Sequence, residues 1–147
     1  MKIADYVKLQ AAAGKKKPNK YNAKCTPRCL FCGGGAIRDG QCMACHSSKI
    51  HVFDSKAEAA RWWDLKRLSD HGSIEDLCYQ VRHPITVNNI DVGSYIADFT
   101  YIEVTAQARN LVIEDVKGGK ATDTPLSKFK RKCVEAQYGC PVTIFRT

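Results

Sequence analysis

Two groups of residues in this 147-residue chain have the types and spacing for chemistry. The first lies in LVIEDVKGG, Leu111 to Gly119, a β-branched run that carries Glu114, Asp115 and Lys117 before two glycines. Residues two apart on a strand share a face. Ile113, Asp115 and Lys117 therefore point one way, and Val112, Glu114 and Val116 the other. An earlier strand, YIADFTY, holds Asp98 in an equally apolar setting. If the two strands are hairpin neighbours, Asp98 and Asp115 converge. Adjacent carboxylates repel unless a cation joins them. Mg²⁺ suits that place, because it prefers carboxylate oxygens and keeps some of its waters. A metal-activated water beside a lysine is the equipment for hydrolysing a phosphodiester.

The second group is CLFCGGGAIRDGQCMAC, in which Cys29-x2-Cys32 and Cys42-x2-Cys45 stand nine residues apart. Two such pairs predict a tetrahedral Zn²⁺ site with four thiolates, closed and therefore structural. Gly33, Gly34 and Gly35 let the backbone turn tightly around the sulfurs. Cys25, His46 and His51 are rival ligands. Cys78, Cys133 and Cys140 fall in or beside core elements and read as buried thiols.

The elements that must position these groups begin at Phe53. Ser55 and Glu58 spell a capping box for a first helix, which Gly72 ends. Ala59, Trp62, Trp63 and Leu65 give that helix its apolar face. DLCYQVRHPITV reads as short extended segments broken at Pro84, and NNIDVGS as a turn. SYIADFTYIEV alternates, with Tyr95, Ala97, Phe99 and Tyr101 on one face. After the TAQARN turn comes the Asp115 strand. Thr124, Pro125 and Gly139 mark a second helix, with Leu126, Phe129, Cys133 and Ala136 along one side. PVTIF is the last strand. The order is helix, several strands, helix, strand: a mixed α/β (α+β) fold. Residues 1–24 form a short helix and a basic arm, 25–51 a zinc ribbon or knuckle, and 52–147 the main domain.

Charge is unevenly spread. Residues 1–50 hold ten Lys/Arg against two Asp/Glu, while 51–147 hold thirteen of each. The net charge of +8 thus lies in the first third. Lys15, Lys16, Lys17, Lys20, Lys24 and Arg28 suit a polyanion such as DNA. Lys128, Lys130 and Lys132 offer a second basic surface on the later helix, beside Arg131. No apolar run reaches the length of a membrane span, and the first residues lack a secretory signal's pattern. A cytoplasmic protein without membrane contact is the expectation.

Y-x-A-D-F, fifteen residues and then D-V-K resembles the signature of the PD-(D/E)xK nuclease superfamily. The order helix, three strands, helix, strand is similar to that superfamily's restriction-endonuclease-like core. Ala97 stands where the signature has proline. NKYNAK, FDSKAEA, YIADFTY, IEDVKG and FKRK…YG resemble more closely a phage-encoded family within it, described as Holliday-junction-resolvase-like endonucleases. The resemblance spans residues 19–24 and 53–147, and implies that the zinc ribbon of 25–51 is an insert between the basic arm and the first core helix.

It implies a DNA endonuclease using Mg²⁺ or Mn²⁺. Asp98, Asp115 and the Val116 carbonyl would ligate the metal, Lys117 would orient water, and Glu58 would assist. Cleavage would leave a 5′-phosphate and a 3′-hydroxyl. The substrate would be branched or duplex DNA, processed during phage recombination in the host cytoplasm. Cutting two strands symmetrically would call for a homodimer. Glu58 keeps its second reading as a helix cap, and Gln137 reads either as a site contact or as an ordinary helix residue. The rival function is a DNA-binding accessory protein, in which the zinc ribbon works and the nuclease-like part is scaffold.

Overall fold

Both helices begin and end where their terminal signals place them. The computed structural model describes residues 25–118 and 123–147. The expected N-terminal helix and Lys15, Lys16, Lys17, Lys20 and Lys24 lie outside the described residues. Helix α1 is Lys56–Asp70 and α2 is Pro125–Tyr138. At α1, the Glu58 amide donates to Ser55 Oγ at 3.1 Å, and the Ser55 hydroxyl donates to the Glu58 carboxylate at 2.9 Å. At α2, Thr124 Oγ1 accepts from the Ser127 amide, and Gly139 closes the helix at φ 68°. That left-handed conformation favours glycine.

The chain divides into two compact units, and the division falls inside α1, after Trp63. The first unit holds four two-residue strands: β1 (Arg28–Cys29), β2 (Ile37–Arg38), β3 (Gln41–Cys42) and β4 (Ile50–His51). β1 pairs antiparallel with β4, and β2 with β3. Asp39 and Gly40, both at positive φ, make the tight β2–β3 turn. Phe53 packs against Trp62 with ring centroids 6.0 Å apart.

The second unit is built on β5 (Ile74–Val87), β6 (Ile90–Val104), β7 (Arg109–Lys117) and β8 (Val142–Arg146). They form one sheet in the order β5-β6-β7-β8. The first three are antiparallel neighbours, and β8 runs parallel to β7. A parallel neighbour needs a crossover, and α2 supplies it.

The region before Asp98 differs from the sequence reading. β5 is one strand, not segments broken at Pro84, and Pro84 pairs with Ser94 inside the ladder. β5 is the sheet's edge, where a missing N–H is tolerated. Bulges between Glu75 and Cys78 and between Ile85 and Thr86 absorb its irregularities. The turn shrinks to Asn88 and Asn89, both at positive φ, a pairing that suits a two-residue hairpin.

The core joins Ile85, Tyr95, Ala97, Ile113, Val134 and Val142, with Cys133 and Cys140 packed against it while keeping some exposure. Cys78 is likewise half-buried. The side of α2 that carries Leu126 and Phe129 faces solvent, with those residues 63% and 64% exposed. The inward side runs through Ser127, Lys130, Arg131, Val134 and Tyr138. Its first half is polar because it lies over a charged part of the sheet, as the contacts below show. Among the described residues, no helix is long and apolar enough to cross a membrane.

Candidate functional site

β6 and β7 pair from Val104↔Arg109 to Phe99↔Glu114. One step further stand Asp98 and Asp115, where the two strands part. There the Val116 amide donates to Asp98 Oδ2 at 2.7 Å. β7 meanwhile stays paired with β8 through Lys117↔Arg146. Asp98 and Asp115 thus flank the end of the β6–β7 ladder, one on each strand.

Asp115 is 3% exposed. Its Oδ1 accepts from Lys117 Nζ at 2.9 Å, and Nζ lies 2.8 Å from Oδ2. The Tyr95 hydroxyl donates to Oδ2 at 2.8 Å. Burial pushes the Tyr95 phenol above its ordinary pKa, and the Asp115 charge and hydrogen bond push it further. Tyr95 therefore remains a donor at any physiological pH. An ionised carboxylate has about four acceptor sites. The contacts with Tyr95 and Lys117 take up three of them.

Glu114 is fully buried and accepts from the Tyr101 hydroxyl at 3.0 Å. It thus belongs to a different contact from Lys117, as strand alternation indicates.

A second charged group borders Asp115. Arg131 on α2 donates to both oxygens of Asp123, at 3.1 and 3.4 Å. Arg146 of β8 lies 3.7 Å from Asp123. Arg131's hydrogen bonds hold the Asp123 carboxyl below its usual pKa against the opposing effect of burial, and the charges of Lys128 and Lys117 add to this. Burial works to lower the Arg131 pKa, but its bonds to Asp123 and the charges of Tyr95 and Asp115 carry it upward. Lys130 donates to the Ser94 carbonyl at 3.0 Å, so one of the three lysines expected on a DNA-facing surface is tied to the sheet. Lys128 and Lys132 are exposed.

The structure thus brings together Asp98, Asp115, Val116 and Lys117. Glu58 lies in the first turn of α1, in the other unit, bonded to Ser55. Gln137 clamps the edge strand: its amide accepts from the Thr86 N–H and donates to the Pro84 carbonyl, each at 2.9 Å. Tyr95, Asp123 and Arg131 were not legible as site residues. Alternation put Tyr95 with the core, and the only signal was that a buried phenol needs a partner.

In the other unit, Cys29, Cys32, Cys42 and Cys45 bring their sulfurs within 4.8 Å of one another. Cys29 Sγ is 3.5 Å from Cys45 Sγ, and Cys32 Sγ is 3.4 Å from Cys42 Sγ. These separations are too long for disulfides. A tetrahedron of thiolates about 2.3 Å from zinc has sulfur–sulfur edges of about 3.8 Å. The four cysteines fit a zinc ion, while Cys25, His46 and His51 stand outside the cluster.

The two knuckles turn alike: Gly33 N–H donates to Cys29 O and His46 N–H to Cys42 O. Both donors have positive φ, 79° and 58°. A Cβ on Gly34 would lie 3.1 Å from Cys42 Sγ and 3.3 Å from Cys32 Sγ. Burial works to raise the Cys29 thiol, but donors from the Cys32 and Phe31 backbone bring it down to about 6. The Ala44 and Cys45 amides lower Cys42. At Cys45 the Ser47 amide works downward, but burial and the crowding sulfurs push it up to about 12. Such a set ionises in full only when a cation offsets the charge.

No curated protein matches the chain. A family model described as "Protein of unknown function (DUF1064)" matches residues 46–141, the span that holds both helices and the end of the β6–β7 ladder, and the chain belongs to that family.

Proposed function

We propose that the protein is a metal-dependent endodeoxyribonuclease with a restriction-endonuclease-like PD-(D/E)xK core. The observation that carries the reading is that Asp98 and Asp115 flank the end of the β6–β7 ladder, with Asp98 bonded to the Val116 amide and Lys117 to Asp115. The order helix, three strands, helix, strand, with the last strand parallel to β7, supports it.

Two carboxylates and a backbone carbonyl are hard oxygen donors, which suit Mg²⁺ or Mn²⁺. Asp98, Asp115 and the Val116 carbonyl would hold the ion, which when bound supplies Lewis-acid activation of water and of a phosphate oxygen. Tyr95 fixes the Asp115 carboxylate through Oδ2. Lys117 places a cation beside the attacked phosphate, offsetting charge that develops there. The preferred substrate is branched DNA such as a four-way junction, cut by a homodimer, and the thiolate cluster carries structural Zn²⁺.

The second reading is a non-catalytic, zinc-dependent DNA-binding accessory protein. In its favour, Asp98 is bonded to the Val116 amide, and Asp115 to Tyr95 and Lys117. The carboxylates are thus held by the protein itself.

One experiment separates the two. Labelled four-way junction, flap and linear duplex DNA are incubated with the protein in Mg²⁺, Mn²⁺ or EDTA, beside Asp115→Asn. Metal-dependent cutting that Asp115→Asn abolishes, with DNA binding retained, is the expected result. Binding without cutting in either metal selects the accessory reading.

A further inference from the structure

The last two strands of the sheet put two cations side by side. Lys117 and Arg146 are partners in the parallel β7–β8 ladder, on strands about 4.8 Å apart. Alternation places them on the face that also carries Asp115. Lys117 is committed to that carboxylate, 2.8 Å away. Arg146 is committed to nothing so closely. It stands 3.7 Å from Asp123, beyond hydrogen-bond distance, and both Asp123 oxygens already accept from Arg131. The Asp123 and Arg131 side chains are largely buried, whereas that of Arg146 is 53% exposed. A guanidinium has five donors in a fixed fork. Asp123 therefore aims Arg146 by charge and leaves its donors to a ligand arriving from solvent.

The local charge names that ligand. Beside the hydrogen bonds from Arg131, which act against burial, Asp123 feels the charges of Lys128 and Lys117. These cations and Arg146 thus form one cluster around it. A divalent ion on Asp98 and Asp115 would cancel their two charges. Lys117, Lys128, Arg131 and Arg146 would then face Asp123 alone. Such an excess of cations, with an arginine fork at its open side, suits a phosphate. A nucleic-acid strand carries one charge per nucleotide. A phosphate held at Lys117 therefore brings a second one toward the cation on the adjoining strand.

We propose that Arg146 grips the phosphate next to the one attacked, with the Asp123–Arg131 pair holding the arginine in place and Lys128 adding charge from α2. The inference rests on the nuclease reading of Asp98, Asp115 and Lys117, and adds a substrate contact which that reading does not require.

The test uses the full-length, zinc-loaded protein in Mg²⁺, with kcat/KM as readout. The probe is whichever of the junction, flap and duplex DNAs is cut fastest, with its cut mapped by the unsubstituted protein. One neutral methylphosphonate linkage is then moved through the phosphates flanking the cut. Arg146→Ala should lower kcat/KM on the all-phosphate probe about tenfold, the size of one charge-assisted hydrogen bond. At one flanking position the neutral linkage should cost the unsubstituted protein the same factor and Arg146→Ala nothing more. Arg146→Lys should recover part of the loss, since it keeps the charge without the fork. Arg109→Ala, at the other end of the nine-residue β7 and about 26 Å from Lys117, should behave as the unsubstituted protein. Unchanged kcat/KM in Arg146→Ala, or a further loss from the neutral linkage at every position, overturns the inference while leaving the nuclease reading in place. Absence of cutting on every DNA by the unsubstituted protein removes the nuclease reading, and the inference with it.

Discussion

At the scale of single residues, the bond from Tyr95 to Asp115 carries the sharpest consequence. Tyr95→Phe keeps the ring in the core and removes only the hydroxyl. A hydrogen bond to a charged group contributes about 1.5–3 kcal/mol. Under the nuclease reading, Tyr95→Phe should cut slower by about tenfold and need more Mg²⁺ for half-maximal rate, with DNA affinity unchanged. A rate and metal requirement equal to those of the unsubstituted protein would remove Tyr95 from the site. His83 gives a prediction independent of activity. It is fully buried against Tyr138, with ring centroids 5.4 Å apart. Burial lowers its pKa from 6.5 to about 4. Between those values the unfolded chain binds the proton and the folded chain does not, so stability rises with pH across that window. Acidification from 6.5 to 4 should cost about 3 kcal/mol from this group. Urea melts of His83→Leu against the unsubstituted protein should show a shallower pH dependence between pH 4 and 6.5. The grouping of Asp115 with Lys117, apart from Glu114, was legible because strand alternation is a strict rule. Asp123 and Arg131 were not, because their meeting depends on where α2 lies across the sheet.

At the scale of elements, the ends of helices were legible and their faces were not. Thr124, Pro125 and Gly139 carry local backbone chemistry, and the structure uses each as expected. The face of α2 was misjudged because apolar spacing marks a core only when the surface beneath is apolar. Here Lys130 and Arg131 turn inward to Ser94 and Asp123, leaving Phe129 outside. Pro84 misled for a related reason, since no local signal says that β5 is an edge. Gln137 ties α2 to that edge, and Gln137→Ala should lower stability by about 1 kcal/mol, read as a drop in melting temperature without change of fold. In the ribbon, the atoms crowding Gly34 predict that Gly34→Ala loosens the sulfur cluster. Chelator competition should show zinc lost at a lower chelator concentration than in the unsubstituted protein.

At the scale of the whole molecule, most of the excess charge lies ahead of the sheet unit, in residues 1–50. Phosphate contacts release counterions and set the salt dependence of binding. Removing residues 1–24 takes away seven lysines and one aspartate. Under the nuclease reading, the slope of log affinity against log salt for duplex DNA should fall accordingly, with cutting retained at low salt. An unchanged slope would place the DNA contacts elsewhere. The pairing of β1 with β4 has a consequence of another kind. Arg28 faces His51 across that ladder, so the chain leaves the ribbon beside the point where it enters. The family match begins at residue 46, close to that exit. A segment whose two ends are neighbours can change in length between them without moving the chain that follows it.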